Sequence, residues 1–294
     1  MVRQVRVCPA GLTGRTDKPF FSSIAARFGK GNRPEGQAGR FLPLEHVFSS
    51  NSVLFAVWEG MPSFIYITDV FCPWCFGFAP VMKKLTEEYR FPVRVLGGEL
   101  VDEPTQTSKM GTPTLLAFFQ RLSDTTGRTL SPDFFKMLNP EGSVLMESRR
   151  SVLLTTALKK LAPGHALEQV EAFQEAFYGK GRDVLDAAVQ ADVASRWGIA
   201  AYALAAMQAQ EAVQEEAERE LEESEEILGD FVVYPSLFVK TDDGVMHAVA
   251  RGYAPYAEVK AKIEAALSCS GAGCETAQAS VSAHACGLDG SGCC

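Results

Sequence analysis

The chain has 294 residues, 47% of them hydrophobic and 22% charged, a composition typical of a globular protein with one large or two modest domains. Its formal net charge of −8 argues against a nucleic-acid-binding protein, which would normally present a basic face. The longest apolar runs fall far short of the roughly 20 residues that a membrane-spanning helix needs. The N-terminus also lacks the apolar core of a secretory signal, so we expect a cytoplasmic protein without a membrane partner, in a compartment where thiols stay mostly reduced.

Residues 1–60 differ from the rest of the chain. Glycine and proline interrupt them repeatedly, as in "CPAGLTGR" and "FGKGNRPEGQAG", and no helical or alternating pattern is sustained. We therefore expect an N-terminal extension that is mostly disordered. Met61 stands just before the first strand pattern, so a translation start at Met61 is an alternative to the printed start.

The next segment predicts a βαβ unit. "SFIYITDV" contains a short β-rich run typical of a buried strand. Apolar residues then recur at three- and four-residue spacing to about Tyr89, which marks an amphipathic helix. "FPVRVLGG" (91–98) predicts a second strand, and parallel pairing through a right-handed crossover is the default for this order.

The remainder predicts a helical segment followed by a hairpin and a last helix. Residues 111 to about 227 carry helical patterns, including a Glu-rich stretch (211–226) typical of a solvated helix face. Strands return in "FVVYPSLFVK" and "VMHAVARGY", separated by the turn "TDDG". "YAEVKAKIEAAL" predicts the final amphipathic helix. The predicted order is βαβ, helical insert, ββα.

A CxxC motif, formed by Cys72 and Cys75 in "CPWC", lies between the first strand and its helix. Free amide N–H groups and the helix dipole favour negative charge there, so Cys72 is expected to ionise readily and act as the nucleophile. Cys75 lies one turn further and is expected to resolve a mixed disulfide, while Pro73 suits the first helical turn. A structural zinc site and a pair of inert buried thiols are the alternatives, although zinc would need a second, closer cysteine pair.

Pro235 and Asp69 are the other candidate site residues. Pro235 in "VVYPSLFV" interrupts a strand pattern, where proline cannot donate a ladder hydrogen bond. A cis-proline beside the thiols, exposing backbone groups to a substrate strand, explains it, and a trans proline at a strand start is the alternative. Asp69 could accept the proton of the second thiol during resolution, or cap backbone N–H groups before the helix.

Four motifs, "TDVFCPWCFGFAPV", "VLGGEL", "AFYGKGRDV" and "YPSLFV", resemble the DsbA-like branch of the thioredoxin superfamily. The similarity is greatest to a bacterial group of predicted protein-disulfide isomerases related to FrnE-type proteins, and it covers about 62–267. It implies that Cys72 and Cys75 are the redox pair and that Pro235 is the cis-proline. Val70 and Phe71 depart from the pattern, because relatives often carry a proline there.

The resemblance also implies the fold class and the domain boundaries. We expect an α/β thioredoxin-like fold with a large all-helical insertion. The thioredoxin-like domain would comprise 61–105 and 228–267, and the insertion 106–227.

The implied activity is thiol–disulfide exchange or isomerisation on protein or small-molecule thiols and disulfides, with no cofactor beyond the dithiol itself. Phe71, Trp74 and Tyr234, beside the two motifs, are expected to contact the substrate. The same branch contains 2-hydroxychromene-2-carboxylate isomerases and kappa-class glutathione transferases, which typically place a serine at the nucleophile position and bind glutathione. A glutathione-dependent isomerase or transferase is therefore the alternative enzyme, and the presence of two cysteines favours disulfide exchange over it.

Residues 268–294 predict a cysteine-rich flexible tail, because Gly, Ser, Ala and Cys dominate and no core-forming pattern is present. Cys286, Cys293 and Cys294 offer three soft metal ligands within nine residues. Three roles stay open for the tail: none, soft-metal binding that would make this a metal-handling protein, or a mixed disulfide with Cys72.

Overall fold

The computed structural model describes residues 60–268, which belong to one compact unit. The predictions for the N-terminal extension (1–60) and for the tail (268–294), including its metal ligands Cys286, Cys293 and Cys294, lie outside the described residues except at their inner ends. Within 60–268, no helix is both long and apolar enough to cross a bilayer.

The described elements follow the predicted order. They are β1 (Ser63–Thr68), α1 (Pro73–Tyr89), β2 (Val93–Gly97), β3 (Thr105–Gln106), α2 (Pro113–Thr126), α3 (Pro132–Met137), β4 (Leu145–Met146), α4 (Ser148–Leu161), α5 (Ala166–Gln174), α6 (Ala187–Ala194), α7 (Ala201–Gln208), α8 (Glu211–Leu228), β5 (Ser236–Lys240), β6 (Met246–Arg251) and α9 (Tyr256–Ser268). A π-helical turn, Glu175–Gly179, continues α5.

A four-stranded mixed sheet in the order β2-β1-β5-β6 forms the centre of the fold. β1 pairs in parallel with β2, which confirms the predicted βαβ unit, and the β1–β5 and β5–β6 pairs are antiparallel. Ile67 near the end of β1 lies opposite Ser236 at the start of β5. The loop that follows β1 and Pro235, the residue before β5, therefore lie at the same end of these two neighbouring strands.

Helices α2 to α8 lie in the chain between β2 and β5 and form the predicted helical insertion. The insertion is not helical throughout, because β4 pairs antiparallel with β3 in a small second sheet. Each of these strands has two residues, which is too short to leave a period-two pattern in the sequence.

The Glu-rich helix α8 packs onto the end of β2. Glu220 accepts hydrogen bonds from the amide of Gly97 (N···O 2.7 Å) and from the Lys159 ammonium (N···O 2.5 Å). The hydroxyl of Ser224 donates to the carbonyl oxygen of Gly97 at 2.7 Å. The solvated face predicted for this stretch is thus only one side of α8, and the other side fastens the insertion to the sheet.

Candidate active site

The two thiols occupy the first turn of α1, as the sequence predicts. Cys72 is the N-cap residue, and its sulfur accepts a hydrogen bond from the amide of Cys75 (N···S 3.4 Å). Pro73 takes the first helical position, where its missing N–H is not needed. Both cysteines are buried thiols. An amide directed at the Cys72 sulfur favours the thiolate form of that residue.

Tyr234 and Pro235 lie opposite the Cys72 sulfur. The thiol of Cys72 is 3.7 Å from the carbonyl oxygen of Tyr234, although the two residues are 162 positions apart in the chain. The Tyr234–Pro235 peptide bond is cis, which confirms the sequence prediction. The backbone carbonyl of Tyr234 in this loop therefore lies beside the Cys72 thiol.

The "VLGGEL" motif holds Tyr234 in place. A Cβ atom at Gly98 would lie 2.4 Å from the Cε1 atom of the Tyr234 ring, so only glycine leaves room for the ring. The next amide, that of Glu99, donates to the Tyr234 hydroxyl at 3.0 Å. The sequence analysis identified this motif by resemblance only. Its role could not be predicted, because Tyr234, with which it interacts, lies 135 residues away.

Asp69 is buried and ties two loops together. Its carboxylate accepts the amides of Phe71 (2.7 Å) and Leu100 (2.9 Å). Burial raises the pKa of Asp69 to about 6, while hydrogen bonds from Ser148 and from these amides oppose the rise. Asp69 thus accepts backbone N–H groups before the helix, as the capping alternative predicted, although Cys72 itself takes the N-cap position of α1. It closes the turn before the helix and fastens that turn to the segment after β2.

Phe71 and Trp74, which were predicted to contact substrate, lie among packed aromatic rings beside the CxxC motif. Both side chains are fully buried. The Phe71 ring packs edge-on against Phe177 at 5.2 Å, and the Trp74 ring lies 5.7 Å from that of Tyr253. Tyr234 is also buried, and it presents its backbone carbonyl to Cys72 rather than its ring. The sequence did not predict this burial, because the rings that pack against Phe71 and Trp74, those of Phe177 and Tyr253, are distant in the chain.

Two residues of the helical insertion, Gln174 and Tyr178, bind the segment that leads into the CxxC motif (68–71, the CxxC loop). Neither was predicted from the sequence. The side-chain amide of Gln174 donates to Thr68 Oγ1 and to the carbonyl oxygen of Asp69, both at 3.1 Å. The hydroxyl of Tyr178 donates to the carbonyl oxygen of Phe71 at 2.5 Å. The motif "AFYGKGRDV" contains Tyr178, so the resemblance alone pointed to this part of the insertion.

A cleft of about 240 Å³ opens between α1 and α5. Ala79 of α1 and Glu171 of α5 line it, together with Arg128, whose guanidinium lies 3.8 Å over the Phe76 ring and pairs with Glu175 at 2.8 Å. Within residues 60–268, no group of three His, Cys, Asp or Glu side chains is placed to hold a metal ion.

Comparison with known proteins assigns the family. A sequence model of the DSBA-like thioredoxin domain matches residues 65–227, which is more than half of the chain. The chain belongs to the DSBA-like thioredoxin domain family. The DSBA-like match begins in β1 and ends in α8, so it contains both the CxxC helix and the helical insertion. A search of curated proteins found no match.

Solved structures share the DSBA-like fold at low identity. A candidate protein disulfide isomerase from Nitrosomonas europaea has a TM-score of 0.61 and 21% identity, over 72% of this chain and 100% of that one. The cytosolic disulfide reductase DsbM from Pseudomonas aeruginosa has a TM-score of 0.57 and 18% identity, over 70% and 98%. A protein assigned as a DsbA oxidoreductase from Streptomyces coelicolor has a TM-score of 0.52 and 18% identity, over 69% and 89%. Identities this low support the fold alone.

Proposed function

We propose that this DSBA-like protein is a thiol–disulfide oxidoreductase that works through Cys72 and Cys75. The observation that supports this proposal is the geometry of the pair: two thiols share the first turn of α1, and the Cys72 sulfur accepts a hydrogen bond from the Cys75 amide. That arrangement stabilises a thiolate on Cys72 and places the second thiol within one turn of it. Membership of the family supports the same reaction class.

The reaction proceeds in two exchanges. The Cys72 thiolate attacks one sulfur of a substrate disulfide, forming a mixed disulfide and releasing the other sulfur as a thiolate. The Cys75 sulfur then attacks Cys72, and the second substrate sulfur leaves. One substrate disulfide is reduced while the two cysteines are oxidised to a disulfide, and the reverse sequence oxidises a substrate dithiol.

The loop before β5 would position a polypeptide substrate. The Tyr234 carbonyl already lies beside Cys72, and Pro235 follows it in the cis form. Phe231 and Val232, three and two residues before Tyr234, are 46% and 57% exposed and offer apolar surface in the same loop. These exposed residues replace Phe71 and Trp74 as our proposed substrate contacts.

The partners and location follow from the chemistry. We propose protein or small-molecule thiols and disulfides as substrates, with no cofactor beyond the dithiol. One structure of the Pseudomonas DsbM contains glutathione, which makes glutathione our first small-molecule partner to test. The same protein is described as cytosolic, which is consistent with our proposal of a cytoplasmic location for this chain.

Reduction of insulin by the full chain tests the proposal. To isolate the motif, the six cysteines other than Cys72 and Cys75 are replaced by serine in the parent protein. We expect the parent to accelerate insulin reduction by dithiothreitol, and Cys72→Ser to abolish the acceleration. Acceleration that survives in Cys72→Ser would contradict the assignment of Cys72 as nucleophile.

A further inference from the structure

The two residues that follow β2, Gly98 and Glu99, set the place of the Tyr234 side chain. Gly98 leaves the space that the ring occupies, and the amide of Glu99 donates to the Tyr234 hydroxyl at 3.0 Å. The carbonyl oxygen of Tyr234 lies 3.7 Å from the Cys72 thiol. A shift of the Glu99 backbone would therefore move the residue that lies beside Cys72.

The side chain of Glu99 is held by Arg149, a residue of the helical insertion. The Nε atom of Arg149 lies 2.5 Å from Glu99 Oε1, and the Nη2 atom lies 3.3 Å from Oε2. A guanidinium that binds both oxygens of a carboxylate fixes its orientation as well as its distance. Only 7% of the Glu99 side chain is exposed, so water screens this ion pair less than it would a pair on the open surface.

The position of Arg149 in its helix indicates that this contact has a purpose outside the helix. Arg149 is the second residue of α4, where the positive end of the helix dipole disfavours a cation. Two carboxylates offset that disfavour: the buried one of Glu99 and that of Glu218 on α8, whose side chain is 53% exposed. Arg149 therefore joins two helices of the insertion to the segment after β2.

We propose that Arg149 is a positioning residue for polypeptide substrates of the dithiol. Arg149 orients the carboxylate of Glu99, and the amide of Glu99 holds the Tyr234 hydroxyl. Tyr234 in turn keeps its carbonyl beside Cys72. This inference rests on the proposed thiol–disulfide function and adds to it a residue that touches neither cysteine in the path described.

The path predicts which reactions of Cys72 depend on Arg149. A polypeptide substrate must lie against the loop that contains Tyr234 and Pro235, so its rate depends on where that loop is held. A small alkylating reagent needs only the thiolate, which the Cys75 amide favours at the start of α1. Loss of Arg149 should therefore slow the polypeptide reaction and leave the small reagent unaffected.

Two rates measured on the full-length parent, which retains only Cys72 and Cys75, test the proposal. They are kcat/KM for insulin reduction and the rate at which iodoacetamide alkylates Cys72. Arg149→Met keeps a long side chain without the guanidinium, and should lower kcat/KM about tenfold while the alkylation rate stays within about twofold. Arg149→Lys keeps the charge but not the paired contacts, so its kcat/KM should fall between those of the parent and Arg149→Met.

Two further variants isolate the contact with Glu99. Arg150→Met makes the same change at the next residue of α4, whose side chain is 50% exposed and lies 3.9 Å from Glu147, and should keep both rates of the parent. Glu99→Met breaks the ion pair from its other side and should reproduce the loss of insulin reduction. The double variant of Glu99 and Arg149 should be no slower than the slower single variant, because both changes break the same pair.

The outcomes separate this inference from the proposed function. Circular dichroism checks that each variant is folded, and Glu99→Met carries the test if Arg149→Met does not fold. An unchanged kcat/KM for insulin, an equal fall in both rates, or losses that add in the double variant would each overturn the role of Arg149. A parent that alkylates at Cys72 but does not accelerate insulin reduction would contradict the proposed function itself, and the role of Arg149 would fall with it.

Discussion

The hydroxyl of Tyr178 donates a 2.5 Å hydrogen bond to the carbonyl oxygen of Phe71, the residue before Cys72 of the CxxC motif. Both residues are fully buried. Tyr178 belongs to the π-helical turn at the end of α5, so the helical insertion fixes the backbone that leads into the CxxC motif. The insertion is thereby a structural part of the candidate active site.

Tyr178→Phe should lower the free energy of unfolding by about 1 to 3 kcal/mol, because it leaves the buried Phe71 carbonyl without this donor. Urea unfolding of the parent and the variant measures the difference. Tyr202→Phe is the matched control, because the Tyr202 side chain is 80% exposed and its change should stay within about 0.5 kcal/mol. Equal effects of the two variants would contradict the proposed anchoring role.

Gly98→Ala and Gly97→Ala should separate stability from catalysis. A new Cβ would meet the Tyr234 ring at 2.4 Å in the first variant and the Val152 side chain at 2.5 Å in the second. Each should cost about 1 to 3 kcal/mol of unfolding free energy. Only Gly98→Ala displaces Tyr234, whose carbonyl lies beside Cys72, so it alone should slow insulin reduction, by roughly tenfold. Equal rates of insulin reduction in the two variants would contradict a role for the position of Tyr234 in the reaction.

Cys72 should alkylate faster than Cys75 at neutral pH, because its sulfur is the one that receives an amide hydrogen bond at the start of α1. Brief treatment of the parent with iodoacetamide, followed by mass mapping, measures both rates. A Cys75→Ser variant should accumulate substrate as a mixed disulfide on Cys72. Faster labelling of Cys75 would reverse the assigned roles.

The local elements could be predicted from the sequence because their patterns are local. The spacing of apolar residues indicated a helix to about Tyr89, where α1 ends. Proline in a strand pattern indicated the cis form of Pro235, which the structure has. The CxxC pair lies at the helix start as its spacing and Pro73 suggested.

The contacts that complete the site could not be predicted in this way. Gln174 and Tyr178 reach the CxxC loop from more than 100 residues away, and such contacts leave no periodic signal in the sequence. For the same reason the burial of Phe71 and Trp74 could not be predicted. Their burial depends on packing against distant aromatic rings such as Phe177.

Asp69 should make stability fall as the pH rises through about 4 to 6. Burial raises its pKa from 3.8 to about 6, so the folded state binds the proton more tightly than the unfolded state. The stabilisation by the neutral form is complete below about pH 4 and is lost by about pH 7, amounting to at most about 3 kcal/mol.

Asp69→Asn removes the titrating carboxyl group and so tests whether Asp69 makes the parent less stable as the pH rises. Urea unfolding at several pH values should show the variant gaining stability relative to the parent as the pH rises from about 4 to 7. Asp102→Asn, an exposed residue, serves as control and should run parallel to the parent. Parallel curves for Asp69→Asn as well would show that the carboxyl group titrates normally.

Truncation after Leu267 should leave the melting temperature and the rate of insulin reduction nearly unchanged, because the removed sequence has no core-forming pattern. Uptake of zinc or copper(I) should fall, since Cys286, Cys293 and Cys294 are soft ligands. Equal metal uptake by the truncated and full chains would remove the metal hypothesis. Loss of dithiol turnover on truncation would instead indicate a redox role for the tail.

The separation of Cys72 from Tyr234 by 162 residues has a consequence during synthesis. At about 5 to 20 residues per second, a ribosome needs roughly 10 to 30 seconds to add the segment between them. For that interval the nascent chain carries two cysteines at a helix start, while the Tyr234 loop has not yet been made. The dithiol is therefore chemically available before its binding surface exists, and premature oxidation of the nascent pair would be decided by the redox state around the ribosome.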